Sequence, residues 1–396
     1  MLVQILLGIF IGLLCGTFTG LAPGIHVNLV CAILVANAAF FLGIASLPAI
    51  IAFVIALSVT HTYLDSIPSV FLGAPSTDKI LGVLPGHRYL LRGEGLIAIR
   101  LMQIGALAAS SLTVLLAWPL ALLLTSTSRF LSRWLAPLLL GLVLFQLVMT
   151  RDRLLSVGLF LLSGLFGLLV FSLQGLENSL FALLSGLFGA ATLVTSSHES
   201  IPLQKTSTTV EIGARGLATA AFAGEISGLL TAIFPGLGSG SAATLSTAFA
   251  ELKEELFLVV TGVIGTVNFL ASIITYWVID KARNGSIVAV REFAGSATPG
   301  IILICCGSAL VAAGLASLLL SGLAPRFLAI MARIPYGTTV KGVLVLLFVL
   351  AGVLCGWWGL VIMTTGTALG LIAQQLNIQR IHLMGCLIVP VLTYLF

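Results

Sequence analysis

Long apolar runs separated by short polar connections set the pattern of this chain. Residues 101–128, 154–176, 226–250, 256–279, 293–325 and 342–379 contain no Asp, Glu, Lys or Arg. Each reaches the roughly 20 residues a helix needs to cross a bilayer. Residues 2–64 are equally bare, with only His26 and His61 able to take up a charge among polar side chains of that kind. The pattern predicts an all-α integral membrane protein with ten to thirteen membrane segments, some broken or re-entrant. In the first half the expected segments are a helix over 2–21, then 24–43, 45–64, a long span from Gly95 to Thr125, 134–150, 154–174 and 178–197. In the second they are 217–235, 236–250, 256–279, 298–323, 342–358, 359–379 and 381–396.

A short motif is written twice within this pattern. Gly12, Gly16, Thr19, Pro23 and Gly24 reappear as Gly224, Gly228, Thr231, Pro235 and Gly236, each 212 positions later. Five matches at one offset indicate a tandem duplication. The expected division is a first membrane repeat over 1–197, a polar linker over 198–212 and a second repeat over 213–396. If each half crosses an odd number of times, the repeats are inverted.

Both copies run an apolar helix with small residues every fourth position into Pro-Gly, which breaks the helix inside hydrophobic sequence. Non-helical backbone at membrane depth is tolerated only where protein buries it or it lines a watery cavity. Paired interruptions at matching places in two halves point to a transporter's binding site. The tracts at the breaks contain His26 and Asn28 in one copy, and Gly238, Ser239, Gly240 and Ser241 in the other. The second tract precedes a helical segment, whose N-terminal amides attract anions. An ordinary helix breaker and cap is the plainer reading, as close helix packing is for the glycine stripe.

Four further polar residues stand out as ion-coupling candidates. His61 and Asp65 are four apart and share a helix face. Glu225 lies ten residues after Arg215 and ten before Pro235. That is about 15 Å from each at ~1.5 Å per residue, near mid-membrane if those residues mark an interface and a break. An ionised carboxylate there costs at least ~2.5–3.5 kcal/mol, so Glu225 should face the interior as a proton or sodium site, unless it is shallow. Asn268 is either a ligand or a hydrogen bond between helices. The stretch 66–86, with three prolines, reads as a re-entrant hairpin or an exposed loop.

Composition narrows the class further. Hydrophobic residues make up 59% and charged residues 8%, against about 25% charged in a soluble globular protein. The net charge of +5 comes from loop arginines spread over successive connections, and nucleic acid is not an expected partner. The six cysteines sit in apolar runs without metal-type spacing, so no cofactor or metal centre is expected beyond a coupling Na+ or H+. The first residues lack a basic flank and carry the first motif copy, which reads as mature sequence and not a cleaved signal. No nucleophile elbow, His-Glu-x-x-His or paired-Asp motif suggests an enzyme.

The chain resembles the large membrane subunit of the tripartite tricarboxylate transporters, the TctA family, in its short archaeal-type form. The carrying residues are Gly16, Gly20, Pro23 and Gly24; Ala74-Pro75-Ser76-Thr77 leading to Leu84-Pro85-Gly86-His87-Arg88 and Gly93; Pro235, Gly236 and Gly238; and Ile381-His382-Leu383-Met384-Gly385. The resemblance implies two repeats with re-entrant hairpins, a midplane anion site and cation-coupled uptake of carboxylates across the cell membrane. It also implies an extracytoplasmic binding protein and a small membrane subunit as partners. By position, Pro23, Gly24, Ser76, Pro235, Gly236 and Gly238 would lie at the site, with Thr77 beside them. The family's long second polar hairpin would be shortened here to something within Thr261–Ser286. A different reading keeps the helix ends but gives them the phosphate of a lipid-linked substrate, such as a polyprenyl phosphate, moved between leaflets.

Overall fold

The computed structural model describes the chain except residues 24, 73–82, 151, 177, 197–201, 206–208, 211, 235–241, 244–245, 247–252, 283, 332 and 396. Among the described residues every regular element is helical. In chain order they are α1 (Leu2–Leu21), α2 (Val27–Ala36), α3 (Ala38–Ile44), α4 (Leu47–Leu64), α5 (Ser66–Phe71), α6 (Val83–Leu91), α7 (Gly95–Leu115), α8 (Ala117–Val148) and α9 (Arg153–Ser172). There follow α10 (Ser179–Leu184), a π-helical turn at Ser185–Ala190, α11 (Ala191–Ser196), α12 (Ala214–Ile233), α13 (Glu254–Ile279), α14 (Gly285–Ala294), α15 (Pro299–Met331), α16 (Tyr336–Gln375), a 3-10 turn at Arg380–Met384 and α17 (Gly385–Leu395).

Eight of these are long and apolar enough to cross a membrane, and two bent pairs bring the total to ten, the lower end of the expected range. One pair is α2 and α3, bent by 83° at Asn37, whose side-chain amide donates to the Ile33 carbonyl at 2.9 Å. The other is α8, bent by 94° between Ala117–Phe130 and Arg133–Val148. Several segments differ from the hydropathy reading. The run after Gly95 is divided at Leu116, whereas the pair expected at 342–358 and 359–379 is present as the two parts of α16, which meet at Gly356 (φ 63, ψ −155). That backbone region is open to glycine without steric cost. Thr261 belongs to the long helix α13, so only a short stretch separates the end of α13 at Ile279 from the start of α14 at Gly285.

The duplicated motif yields helices that correspond residue for residue. Helix α1 spans 2–21 and α12 spans 214–233, both bounds 212 apart. Their exits match too: Ala22 is extended at φ −93, ψ 104 and Phe234 at φ −96, ψ 113. Helix α1 packs along α4 and α12 along α13, and the glycine stripe is what lets each approach. A Cβ on Gly12 would lie 2.5 Å from the Phe53 carbonyl oxygen, and one on Gly16 2.6 Å from that of Leu57. On α12, Gly224 faces Val263 and Gly228 faces Val267 in the same manner. The contact order rises together along both helices, so α1 runs parallel to α4 and α12 parallel to α13.

Two hydrophobic cores result. The first joins α1, α2, α4, α5, α6 and α7 to α12, α13, α14 and α15; the second joins the end of α8 and α9–α11 to α16 and α17. Each draws on residues from both sides of the 198–212 stretch. Within the first core the halves exchange partners: α4 packs on α15, and α7 on α13. Helices α7 and α15 run antiparallel, since Arg100 reaches Ser321 (3.3 Å) while Gln103 bonds Ser317 (2.6 Å). The large apolar side chains left on the outside, from Phe10 and Phe18 to Trp357 and Trp358, face where lipid lies.

Candidate substrate and ion site

Helix α1 ends because Pro23 disfavours a helical residue before it. Ala22 is accordingly extended, and Ile25 turns back to the Ala22 carbonyl at 3.2 Å. His26 restarts the helix as the cap of α2, its Nδ1 accepting the Asn28 amide at 3.2 Å. That bond leaves Nε2 as the protonated nitrogen of a neutral His26 ring. The ring stands edge-on to His61 of α4, centroids 5.0 Å apart and planes inclined by 64°. His61 Nδ1 in turn lies 3.1 Å from the Thr19 hydroxyl oxygen. Thr19 also bonds the Gly16 carbonyl (3.3 Å), and which of Thr19 and His61 donates to the other depends on the His61 tautomer. Asp65, one turn beyond His61, is also buried.

The third side of this group comes from the other half of the chain. Asn284 caps α14 through Oδ1 to the Ile287 amide (2.8 Å), and its buried Nδ2 has no partner among the described residues. A Cβ on Gly285 would sit 2.5 Å from Asn28 Oδ1, so the Asn28 side chain lies against the start of α14. One residue on, Ser286 meets Ser58 of α4, oxygens 2.6 Å apart, with Cys31 Sγ at 3.8 Å. The structure thus gathers Pro23, His26, Asn28 and His61 around a helix break that faces a helix N-terminus from the opposite half.

Glu225 sits elsewhere, on the α7–α12 interface. It is 3% exposed, and the Thr113 hydroxyl of α7 reaches both its oxygens at 3.0 and 3.2 Å. A hydrogen bond to an ionised group contributes about 1.5–3 kcal/mol, so one hydroxyl offsets the ~2.5–3.5 kcal/mol insertion cost only in part. Asn268 is half-buried on α13. Its placement has a counterpart: Gly16 meets Thr60, the residue before His61, and Gly228 meets Val267, the residue before Asn268. Gly24, Ser76, Thr77, Pro235, Gly236, Gly238, Ser239, Gly240 and Ser241 lie outside the described residues. Among the described residues no three of His, Cys, Asp and Glu come together as metal ligands, and all six cysteines are free thiols.

Five residues at these places were not read from the sequence as ligands. Thr19 was visible as part of the duplicated motif. Asn284 and Ser286 belong to a short polar tract after a long apolar helix, the same kind of signal that singled out His26 and Asn28. Ser58 and Thr113 carry no such mark, since single hydroxyls are common in membrane helices.

Charges gather where α6 ends and α13 starts. Arg88 and Arg92 each take one oxygen of Glu254, at 2.7 and 2.8 Å, and Lys205 pairs with Glu94 at 2.6 Å. Gln204 accepts from the Gly95 amide (3.0 Å) and donates to the Leu90 carbonyl (2.8 Å), so the 198–212 stretch is fastened to the α6–α7 turn. The two arginines act here as anchors. Burial and the nearby Glu255 push the Tyr89 hydroxyl up to about 12.

The model of the tripartite tricarboxylate transporter TctA family matches residues 6–385. The chain belongs to that family. Over 405 aligned positions it is also 25% identical to an uncharacterized protein of Methanocaldococcus jannaschii, covering 98% of each chain. No solved structure matches. The family and the eight or more apolar helices make this a multi-pass membrane protein, the membrane component of a transporter. Membership implies a tripartite system with a binding protein and a small membrane subunit as partners of the TctA component.

Proposed function

We propose that the chain is a secondary transporter permease for an organic anion of the di- or tricarboxylate kind, coupled to Na+ or H+ and working by alternating access. The observation that carries the reading is the break at Pro23–His26, set against the N-terminus of α14 with His26, His61 and Asn28 around it. Backbone amides and imidazole N–H groups are donors suited to a carboxylate, and a helix N-terminus adds about half a positive charge. The matched exits of α1 and α12 support a second, equivalent contribution from the Pro235 tract; the inversion expected of the two halves is not what these two helices show, since both run antiparallel to α7. Because each core contains parts of both halves, the cores are the bodies that would shift against each other. Coupling would draw on His61, Asp65, Glu225 and Asn268.

The test is uptake of radiolabelled citrate by proteoliposomes under imposed proton and sodium gradients. Accumulation above equilibrium, lost in Gly24→Leu and Gly236→Leu, is expected. Accumulation unchanged in both variants would remove the proposed site. A saturable transfer of polyprenyl phosphate with no citrate uptake would favour the lipid-linked reading.

A further inference from the structure

Many hydroxyls inside the first core turn back on their own helices. Thr17, Ser58, Thr62, Ser110, Thr266 and Ser272 each donate to a carbonyl four residues earlier. Thr113 does not: its proton points across the interface at Glu225. The carboxylate therefore sits at a place where a neighbouring helix has turned a hydroxyl donor outward to meet it.

What surrounds the pair limits the ion it can hold. Helix α12 packs on α13 and α7. Among the described residues, α13 brings charges only at Glu254 and Glu255 in its first turn, and at Glu225's level it presents Val260, Val263, Ile264 and Val267, all fully buried. Helix α7 brings Arg100, thirteen positions before Thr113, and α12 itself brings Arg215, ten positions before Glu225. Tyr63 of α4 reaches α7 at Ser110, one turn from Thr113, at 2.9 Å. Among the described residues, neither a balancing cation nor the ring of oxygens that a dehydrated metal cation needs is provided around Glu225. A proton needs only the carboxylate itself.

We infer that Glu225 carries the coupling proton, with Thr113 as its positioning residue; this rests on the reading of the chain as a cation-coupled transporter. On loading, a hydronium ion gives its proton to one carboxylate oxygen, an O–H bond forms, water is released and the side chain becomes neutral. The Thr113 hydroxyl then bonds the remaining carbonyl oxygen or accepts from the new acid proton. Unloading on the other side reverses the step. The Tyr63–Ser110 bond links this face of α7 to α4, the helix that carries His61 and Asp65.

Infrared difference spectroscopy of the protein in lipid vesicles reads the proton directly, without substrate. A protonated-carboxyl band that titrates with pH, is missing in Glu225→Gln, shifts in Thr113→Val and ignores replacement of K+ by Na+ is expected. A band unchanged in Glu225→Gln, or one that follows Na+ at fixed pH, overturns the assignment. In proteoliposomes with labelled citrate, Glu225→Gln is expected to lower proton-driven accumulation about tenfold more than citrate exchange. Equal loss of both in a monodisperse variant counts against the coupling role. A wild type that neither accumulates nor exchanges citrate defeats the carboxylate reading, while the spectrum still decides where the proton binds.

Discussion

His26 and His61 meet edge to face with ring centroids 5.0 Å apart, although one caps a helix after a break and the other lies deep in α4. The contact joins the interrupted helix to a largely enclosed one. Thr19 completes it from the end of α1.

His61→Ala takes the ring away from the Thr19 hydroxyl and removes one wall of the break. Leaving a buried group unpaired costs about 1–3 kcal/mol, so the citrate KM in proteoliposomes should rise by roughly 5- to 150-fold. His61→Gln, which can still donate to Thr19, should recover part of the loss. Unchanged kinetics in both would detach His61 from the site.

Asn28 and Gly285 belong to opposite halves, and a Cβ on Gly285 would lie 3.3 Å from that of Asn28. Disulfides form at Cβ separations of about 3.5–4.5 Å, within a small adjustment. Asn28→Cys with Gly285→Cys, in a background without the native cysteines, should cross-link on mild oxidation and arrest transport until reduced. Failure to cross-link would separate α2 from α14.

Gly16→Val places a side chain where the Leu57 carbonyl and Thr60 already sit, whereas Gly43→Ala meets nothing within 4 Å. Overpacking costs about 1–3 kcal/mol. The first variant should lose thermal stability in detergent and the second keep it. Equal stability would mean that α1 does not rest on α4 through its glycines.

Glu254→Gln frees Arg88 and Arg92 together. Exposed pairs contribute about 0.2–1 kcal/mol each and are screened by salt. A small drop in melting temperature at low ionic strength, vanishing in high salt, is expected. A large salt-independent loss would give the cluster a weight beyond surface pairing.

Much of this arrangement can be read in the letters. The motif offset of 212 anticipates the bounds of α1 and α12, because a Pro-Gly break and a glycine stripe act locally wherever they stand. His61 and Asn268 stand out as polar residues in apolar runs, and their equivalent packing follows. What the letters do not carry is partnership across the fold. Nothing near Thr113 says that Glu225 will face it, and nothing in hydropathy assigns α7 to α13 or divides the halves between two cores. The bend at Asn37 falls inside a run, 24–43, whose apolarity alone reads as a whole span.

The parallel setting of α1 on α4, and of α12 on α13, has a consequence for topology. Met1 and Ser46 open their helices at the same leaflet, while α7, antiparallel to α4 through the Phe71–Gly95 and Tyr63–Ser110 contacts, begins at the other. The starts of α1, α4 and α7 are thereby tied to one another. A single membrane-impermeant label at Ser46→Cys therefore fixes the sidedness of all three at once.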